Sequence, residues 1–194
     1  MTAAITLRPA RPGDAAAIAK VHVETWRATY AGIVPDAYLV SMTESKQALQ
    51  WNNMIRRAVA PEAVLAAESA DVPGGRIVGF GSCGRTRDRV RGRGATGSGS
   101  GEIFTLYVTP DWQGRGIGRL LLEGLLVRLH GSGLSEAVLW VLSDNPARFF
   151  YEGLGGRRAA ERKERFAGVE LDEAAYVWRD LGAWLAARSG GDRA

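Results

Sequence analysis

Cysteine is nearly absent from the 194 residues: Cys83 stands alone, so no intrachain disulfide can form and a four-cysteine zinc site is excluded. Histidine is almost as scarce. His22 and His130 lie far apart without other ligand spacing around them, and no metal is expected. No apolar run approaches the about 20 residues that a membrane helix requires. The opening stretch Met1-Thr2-Ala3-Ala4-Ile5-Thr6-Leu7-Arg8-Pro9 lacks the basic start and continuous apolar segment of a signal peptide, so a cytoplasmic location is expected.

With disulfides, metal and membrane set aside, folding must rest on an ordinary apolar core. The 46% hydrophobic content supplies one, and the length suits a single domain, expected over residues 1–181 with a C-terminal tail over 182–194. Cys83 ends the apolar run Val78-Gly79-Phe80-Gly81-Ser82-Cys83 and reads as a small strand residue rather than a nucleophile. The net charge of +4 and pI near 9.6 would let a basic face attract a polyanionic cofactor, nucleic acid or an acidic partner.

Periodicity and punctuation lay out the elements. Ile5-Thr6-Leu7-Arg8 reads as a strand stopped by Pro9, and Asp14 as the N-cap of a helix burying Ala17, Ile18 and Val21. A second helical stretch starts at Pro35-Asp36 and runs in pieces to Pro61. Ala63 to Glu68 and Arg76 to Gly81 read as a hairpin around Asp71-Val72-Pro73-Gly74-Gly75, and Gly84 to Gly101, ending in the glycine- and serine-rich stretch from Gly92, is expected to be the least structured part of the chain, with the composition of a flexible linker. Beyond it, Ile103 to Val108 and Ala137 to Leu142 are apolar strands joined through a helix, so they should run parallel. A short helix follows from Asn145-Pro146 to Glu152, then a closing hairpin of Arg157 to Phe166 and Glu173 to Trp178, turning near Gly168. The tail after Leu181 is expected to be a loosely docked helix that frays by Gly190. The order predicts a mixed α/β layout within one sheet.

The segment Glu102 to Leu122 joins the first of those strands to its helix through the glycine-rich turn Gln113-Gly114-Arg115-Gly116-Ile117-Gly118. A helix start carries unpartnered N–H groups and the positive end of the helix dipole, which suits a diphosphate. A P-loop would need Gly-Lys-Ser or Gly-Lys-Thr, whereas Gly118 precedes Arg119 and Leu120. The Rossmann fingerprint fails too, because its third glycine position holds Arg119 or Leu121, and Glu136 would open a strand where a ribose-binding acid should end one. The turn, preceded by Val108-Thr109-Pro110, resembles the acetyl-CoA signature Gln/Arg-x-x-Gly-x-Gly/Ala of the GNAT superfamily of N-acetyltransferases.

A second segment, Asn145-Pro146-Ala147-Arg148-Phe149-Phe150-Tyr151-Glu152-Gly153-Leu154-Gly155, is similar to that family's Asn-x-x-Ala-x-x-Phe-Tyr-x-x-x-Gly, with alanine one place early and Arg148 where small residues are usual. The resemblance covers the chain to about Leu181. It implies the GNAT fold, an α/β (α+β) architecture with a central mixed, mostly antiparallel twisted sheet of about seven strands, helices on both faces and a parallel splayed strand pair. It also implies acetyl-CoA as cosubstrate, without metal. Cofactor contacts are expected from Leu106, Tyr107, Val108, Gln113, Gly114, Arg115, Gly116, Ile117, Gly118, Arg119 and Asn145. The family's strand bulge is expected around Leu106 to Val108, where a backbone N–H would meet the oxyanion.

Amine attack on a thioester expels a thiolate, and Tyr151, which the resemblance places near the sulfur, is the expected general acid. The amine must be neutral, and Glu102, opening the signature strand, is the candidate base, directly or through water. Trp26 and Tyr30, one helical turn apart, are the candidate acceptor wall, with a core stripe as the plain alternative. Arg85, Arg87, Arg89, Arg91 and Arg93 alternate and would share one face of an extended chain. A solvated charge run is the preferred reading, so nucleic acid is not an expected partner. The expected reaction is acetyl transfer to a primary amine on a small molecule, peptide N-terminus or lysine, by direct attack in a ternary complex. The alternative is a CoA-binding sensor or interaction module, and a homodimer is left open.

Overall fold

The computed structural model describes residues 4–71, 75–87 and 99–189. Its centre is a seven-stranded sheet in the order β1-β2-β3-β4-β5-β7-β6, formed by β1 (Ile5–Pro9), β2 (Ala63–Ser69), β3 (Arg76–Arg85), β4 (Ser100–Val108), β5 (Glu136–Leu142), β6 (Arg157–Phe166) and β7 (Val169–Trp178). Every neighbouring pair is antiparallel except β4 and β5, which lie parallel across a helical crossover. The expected architecture is the one found. No described helix is long and apolar enough to cross a membrane.

Helices cover both faces. On one side, α4 (Ile117–Gly131) buries Leu121, Leu122, Leu125, Leu126 and Leu129 completely, a continuous apolar stripe at helical spacing. Glycine makes room for it: a Cβ on Gly79 of β3 would lie 2.9 Å from the Tyr107 carbonyl oxygen and 3.2 Å from Leu121 Cδ1, and one on Gly81 2.7 Å from Leu125 Cδ1. On the other face, α1 (Ala15–Thr29) sets Ile18, Ala19 and Val21 against Trp51 of α3 (Glu44–Arg57) and against Val64, Ala66, Ile77 and Phe80 of the sheet. The short α2 (Asp36–Ser41) lies between α1 and α3, where Arg27 donates to the Leu39 and Met42 carbonyls. Asp14 precedes α1 as expected, but its carboxylate accepts from Arg11 N and Arg8 rather than capping the helix.

The parallel pairing is short. β4 and β5 stay in register from Ser100 opposite Glu136 to Ile103 opposite Leu139, and there the pairing ends. From that point β4 follows β3 to Val108 while β5 follows β7 to Leu142, so the two strands part into a wedge. A bulge accompanies the parting: Ser82 pairs with Thr105 and Cys83 with Ile103, leaving Phe104 as the extra residue. It thus lies earlier than the expected Leu106 to Val108, and it comes at the end of the β5 pairing because a bulge adds local twist.

Two further expectations change, and that of Cys83 as a strand residue holds. Gly84 and Arg85 belong to β3 and Ser100 and Gly101 to β4, where a Cβ on Gly101 would lie 2.7 Å from Leu129 Cδ2, and residues 88–98 of the supposed linker, with Arg89, Arg91 and Arg93 of the ladder, fall outside the described residues. Cys83 is a buried strand residue whose thiol is pushed up to about 12 by burial. The C-terminal segment is no loose tail. In α6 (Leu181–Ser189), Leu181 is fully buried, and Trp184 Nε1 donates to the Leu154 carbonyl at 2.9 Å, an oxygen that Trp178 Nε1 also reaches at 3.1 Å. Leu154 ends α5 (Ala147–Gly153) as its C-cap, so α6 fastens the end of the helix that carries Tyr151.

Because Gly79 lies between a β4 carbonyl and α4, Gly79→Val is expected to cost about 1–3 kcal/mol of unfolding free energy through overpacking. Urea denaturation reads this as a lower midpoint at unchanged slope, and an unchanged midpoint would show that the interlayer gap is slack.

Candidate active site

The wedge between β4 and β5 opens into a cleft of about 540 Å3. One end is the glycine-rich turn. Gln113 Nε2 donates to the Val108 carbonyl at 3.0 Å, closing the path from strand to helix, and Gly114 and Gly116 follow at φ +72° and +80°. Side chains rarely adopt that left-handed backbone, and a Cβ at either glycine would point into open space. The first turn of α4 is closed by Leu120 N donating to Gly116 O at 3.0 Å, so the Ile117 and Gly118 N–H groups precede the first intrahelical bond. Gly118 works differently from the other two: an added Cβ would sit 3.3 Å from Phe150 Cζ, so its bareness lets α5 approach α4.

Most of the sequence-predicted cofactor residues converge here. Leu106, Tyr107 and Val108 line one wall, Gln113, Gly114, Gly116, Gly118 and Arg119 the entrance, and Asn145 and Tyr151 the far side. Arg115 and Ile117 do not line the cleft. The Arg115 guanidinium lies 4.7 Å from the centre of the Trp112 ring, and Ile117 is a buried anchor of α4.

The far side holds the polar groups. Asn145 is 5% exposed; its Oδ1 accepts from Ala147 N at 2.9 Å, which orders the start of α5 and leaves Nδ2 facing the Tyr30 hydroxyl at 3.5 Å. Tyr151 is 6% exposed, lines the cleft and makes no hydrogen bond to the described residues. Burial pushes its phenol well above the ordinary tyrosine value, with Tyr30 adding to the shift, so it carries its proton throughout the neutral range. Tyr30 and Tyr107 are raised as well, first by burial.

Two expected site residues stand back from the cleft. Trp26 packs behind Tyr30 at 4.7 Å between ring centres, with Tyr38 and Phe166 each at 5.8 Å, so only Tyr30 of the pair lines the cavity. Glu102 is 7% exposed on the part of β4 still paired with β5, opposite Val138. Its carboxylate accepts from Arg87 N at 3.0 Å and Thr86 Oγ1 at 3.4 Å and faces the Arg87 guanidinium at 3.6 Å. Arg148, in the position where a small residue is usual, donates to the Ser143 carbonyl at 2.9 Å and so closes the turn that carries Asn145.

Sequence reading missed Thr25, Thr29, Trp140 and Phe150, all of which line the cleft. The signal for the threonines was available: Thr25, Thr29 and Tyr30 lie one helical turn apart or adjacent on α1. It also missed His22, which supports Tyr107 from behind, their rings stacked 5.3 Å apart. Trp51 Nε1 donates to His22 Nδ1 at 3.1 Å, which assigns the ring proton to Nε2. Burial lowers the imidazole to about 4, against a smaller opposing contribution from Gln47. Among the described residues, no group of three or more His, Cys, Asp or Glu side chains converges as metal ligands.

Set against known proteins, this fold and cleft have a definite place. The sequence model of the Acetyltransferase (GNAT) family matches residues 23–155. YuaI of Bacillus subtilis (strain 168), described as an uncharacterized N-acetyltransferase, is 33% identical over 179 residues, 92% of this chain and 95% of its own length. Aminoglycoside N(6')-acetyltransferase type 1 of Stenotrophomonas maltophilia is 34% identical over 138 residues, 70% of this chain and 74% of its length. Among solved structures, yncA of Salmonella typhimurium with acetyl-CoA superposes with a TM-score of 0.67 at 24% identity, covering 91% of this chain and 94% of that one, a likeness of fold. The chain belongs to the GNAT family and is an N-acetyltransferase.

The neutral, buried His22 couples stability to pH. Its folded value near 4 lies below the ordinary 6.5, so the unfolded chain takes up the proton first as pH falls. The contribution is therefore complete above about 6.5 and lost progressively toward 4. Urea unfolding measured across that window is expected to show a decline that His22→Gln flattens; parallel curves would mean that the imidazole is protonated in the fold.

Proposed function

We propose that this N-acetyltransferase takes its acetyl group from acetyl-CoA and passes it to a primary amine by direct attack in a ternary complex. The observation that carries this reading is the parting of β4 from β5 beyond Ile103 and Leu139, with an open glycine cradle at one end of the gap and Tyr151 at the other. The residues present suit the cosubstrate. Gly114 and Gly116 leave room where Cβ atoms would stand, and the N–H groups of Ile117 and Gly118 suit its diphosphate. The edge of β4 from Thr105 to Val108 no longer pairs with β5, so it can offer backbone groups to an amide-bearing arm as a neighbouring strand would.

The acetyl group arrives as a thioester, and the residues around it handle oxygen, sulfur and protons. A backbone N–H of β4 near Leu106 meets the carbonyl oxygen as it gains charge. The amine nitrogen attacks with its lone pair, the carbon–sulfur bond breaks, and the sulfur leaves with the bonding electrons. Tyr151 supplies a proton to that sulfur, and the new amide nitrogen loses one to water, so the phenol is restored from solvent. Glu102, held by Arg87 and Thr86, is assigned to anchoring the turn after β3 rather than to the base role its place in the sequence suggests.

Acetyl-CoA at about 100 times its dissociation constant should stabilise the fold by about 2.7 kcal/mol, a rise in melting temperature of roughly 5–10 °C. Gly116→Val, which puts a branched side chain at a left-handed position in the cradle, should fold but lose that rise. A shift retained by the variant would place the diphosphate elsewhere. In turnover, Tyr151→Phe should lower kcat by about 100-fold at unchanged KM for acetyl-CoA, whereas Glu102→Gln should keep kcat and its pH profile. Equal kcat for wild type and Tyr151→Phe would remove the phenol from the reaction.

A further inference from the structure

One carboxylate on α4 faces two arginines, and its hydrogen bond goes to only one of them. Glu123, on the second turn of α4, accepts from Arg119 Nε at 2.8 Å, an i,i+4 pair on the helix surface. The same oxygen, Oε1, lies 3.4 Å from Arg188 Nε of α6. That nitrogen is buried, yet it makes no hydrogen bond to the described residues. A buried N–H of a charged group without an acceptor is unfavourable, and the nearby acceptor is the oxygen that Arg119 holds.

Antiparallel packing brings these residues together. A Cβ on Gly182 at the start of α6 would lie 3.5 Å from His130 Cε1 near the end of α4, and Arg188, nearly two turns further along α6, comes level with Glu123. The Arg188 side chain is held on two other sides. Its guanidinium lies 3.9 Å from the centre of the Trp184 ring, and a terminal nitrogen donates to the Leu154 carbonyl at 3.3 Å. Arg119 stands in a different setting: its side chain is 59% exposed, and it lines the cleft at the entrance beside the glycine turn. Of the two arginines, it is the one that a ligand in the cleft can reach.

Resting on the acetyl-transfer reading above, we infer that the cosubstrate's phosphates draw Arg119 off Glu123 and that Arg188 takes its place, which makes Arg188 a positioning residue for cofactor binding. An exposed i,i+4 ion pair contributes little, whereas a diphosphate offers Arg119 more negative charge and several acceptor oxygens. Glu123 would then be an unpaired anion one turn from the arginine that holds the phosphates, and it would repel them. A short approach of Arg188 Nε neutralises it and gives the buried N–H its acceptor. Arg188 also donates to Leu154, the C-cap of α5, so the exchange joins the cofactor entrance, α6 and the helix carrying Tyr151 in one bonded set.

The test follows the Arg188 Nε–Hε NMR resonance in nitrogen-labelled full-length protein, assigned by its loss in Arg188→Met, while calorimetry measures the dissociation constant for CoA. Saturation with CoA should move the resonance downfield and slow its exchange with solvent, as a new hydrogen bond to a carboxylate does. In Arg119→Met, an exposed substitution that keeps the helix, the resonance should stand near its bound position before CoA is added and move no further. Arg188→Met should weaken CoA binding by roughly threefold to fivefold, the size of one ion pair, and should cost nothing more in the Arg119→Met background. A merely structural role for Arg188 would cost the same in both backgrounds. A resonance unmoved by CoA that the protein binds, a resonance still moved in Arg119→Met, or an equal penalty with and without Arg119 would each overturn the exchange alone. Absence of CoA binding to the wild-type protein would overturn the proposed function and the exchange with it.

Discussion

Once β4 bulges at Phe104 it can no longer run beside β5, and the site depends on that single break in pairing. A continuous parallel sheet would satisfy every backbone group from Ser100 to Val108 and leave no gap. The break instead frees a length of strand edge, points β4 toward the glycine turn and β5 toward Asn145, and opens the cleft between them. Unpaired edges are usually liabilities. This one faces the cleft between the helical layers, with α1 on one side and α4 on the other.

Holding a sheet open requires rigid layers around the opening. The fully buried leucines of α4 press on β3 through the room left by Gly79 and Gly81, while α1 and Trp51 hold the opposite face through Phe80 and Tyr107. Tyr107 belongs to both halves of this arrangement. Its ring stacks on the neutral His22 in the core, and the residue also lines the cleft. The third support is α6, whose Trp184 reaches the Leu154 carbonyl at the end of α5 and so fixes the helix that carries Tyr151. The C-terminal helix is therefore part of the site's scaffold.

The fold was legible because its signals are local and redundant. Strand Ile103 to Val108, the turn Gln113 to Gly118 and the leucine stripe of α4 each carry their own periodicity or glycine chemistry, and they agree with one another. The cradle was legible for the same reason. What the sequence hid depends on direction in space. Nothing in the alternation of β4 tells whether Glu102 meets the cleft or Arg87, because that follows from how the segment after β3 folds back on β4. Trp26 and Tyr30 share a face of α1, yet Tyr30 alone reaches the cavity, because Tyr38 and Phe166 close over Trp26. The bulge was expected two residues or more too late, since an extra residue in a ladder shows only in the partner's register.

The cleft is electrically divided along its length. At the glycine turn, helix-terminal N–H groups and the neighbouring Arg119 make an environment for anions. At the other end, Tyr30, Asn145, Thr29 and Tyr151 present hydroxyl and amide groups without net charge, and Glu102 and Glu173 are bound to arginines rather than turned inward. A thiolate forming beside Tyr151 would thus be met by a proton donor whose burial keeps the proton in place until sulfur takes it. An acidic residue at the same place would help remove a proton from the amine, but it would also hold an ammonium there and oppose the charge that builds on oxygen and sulfur.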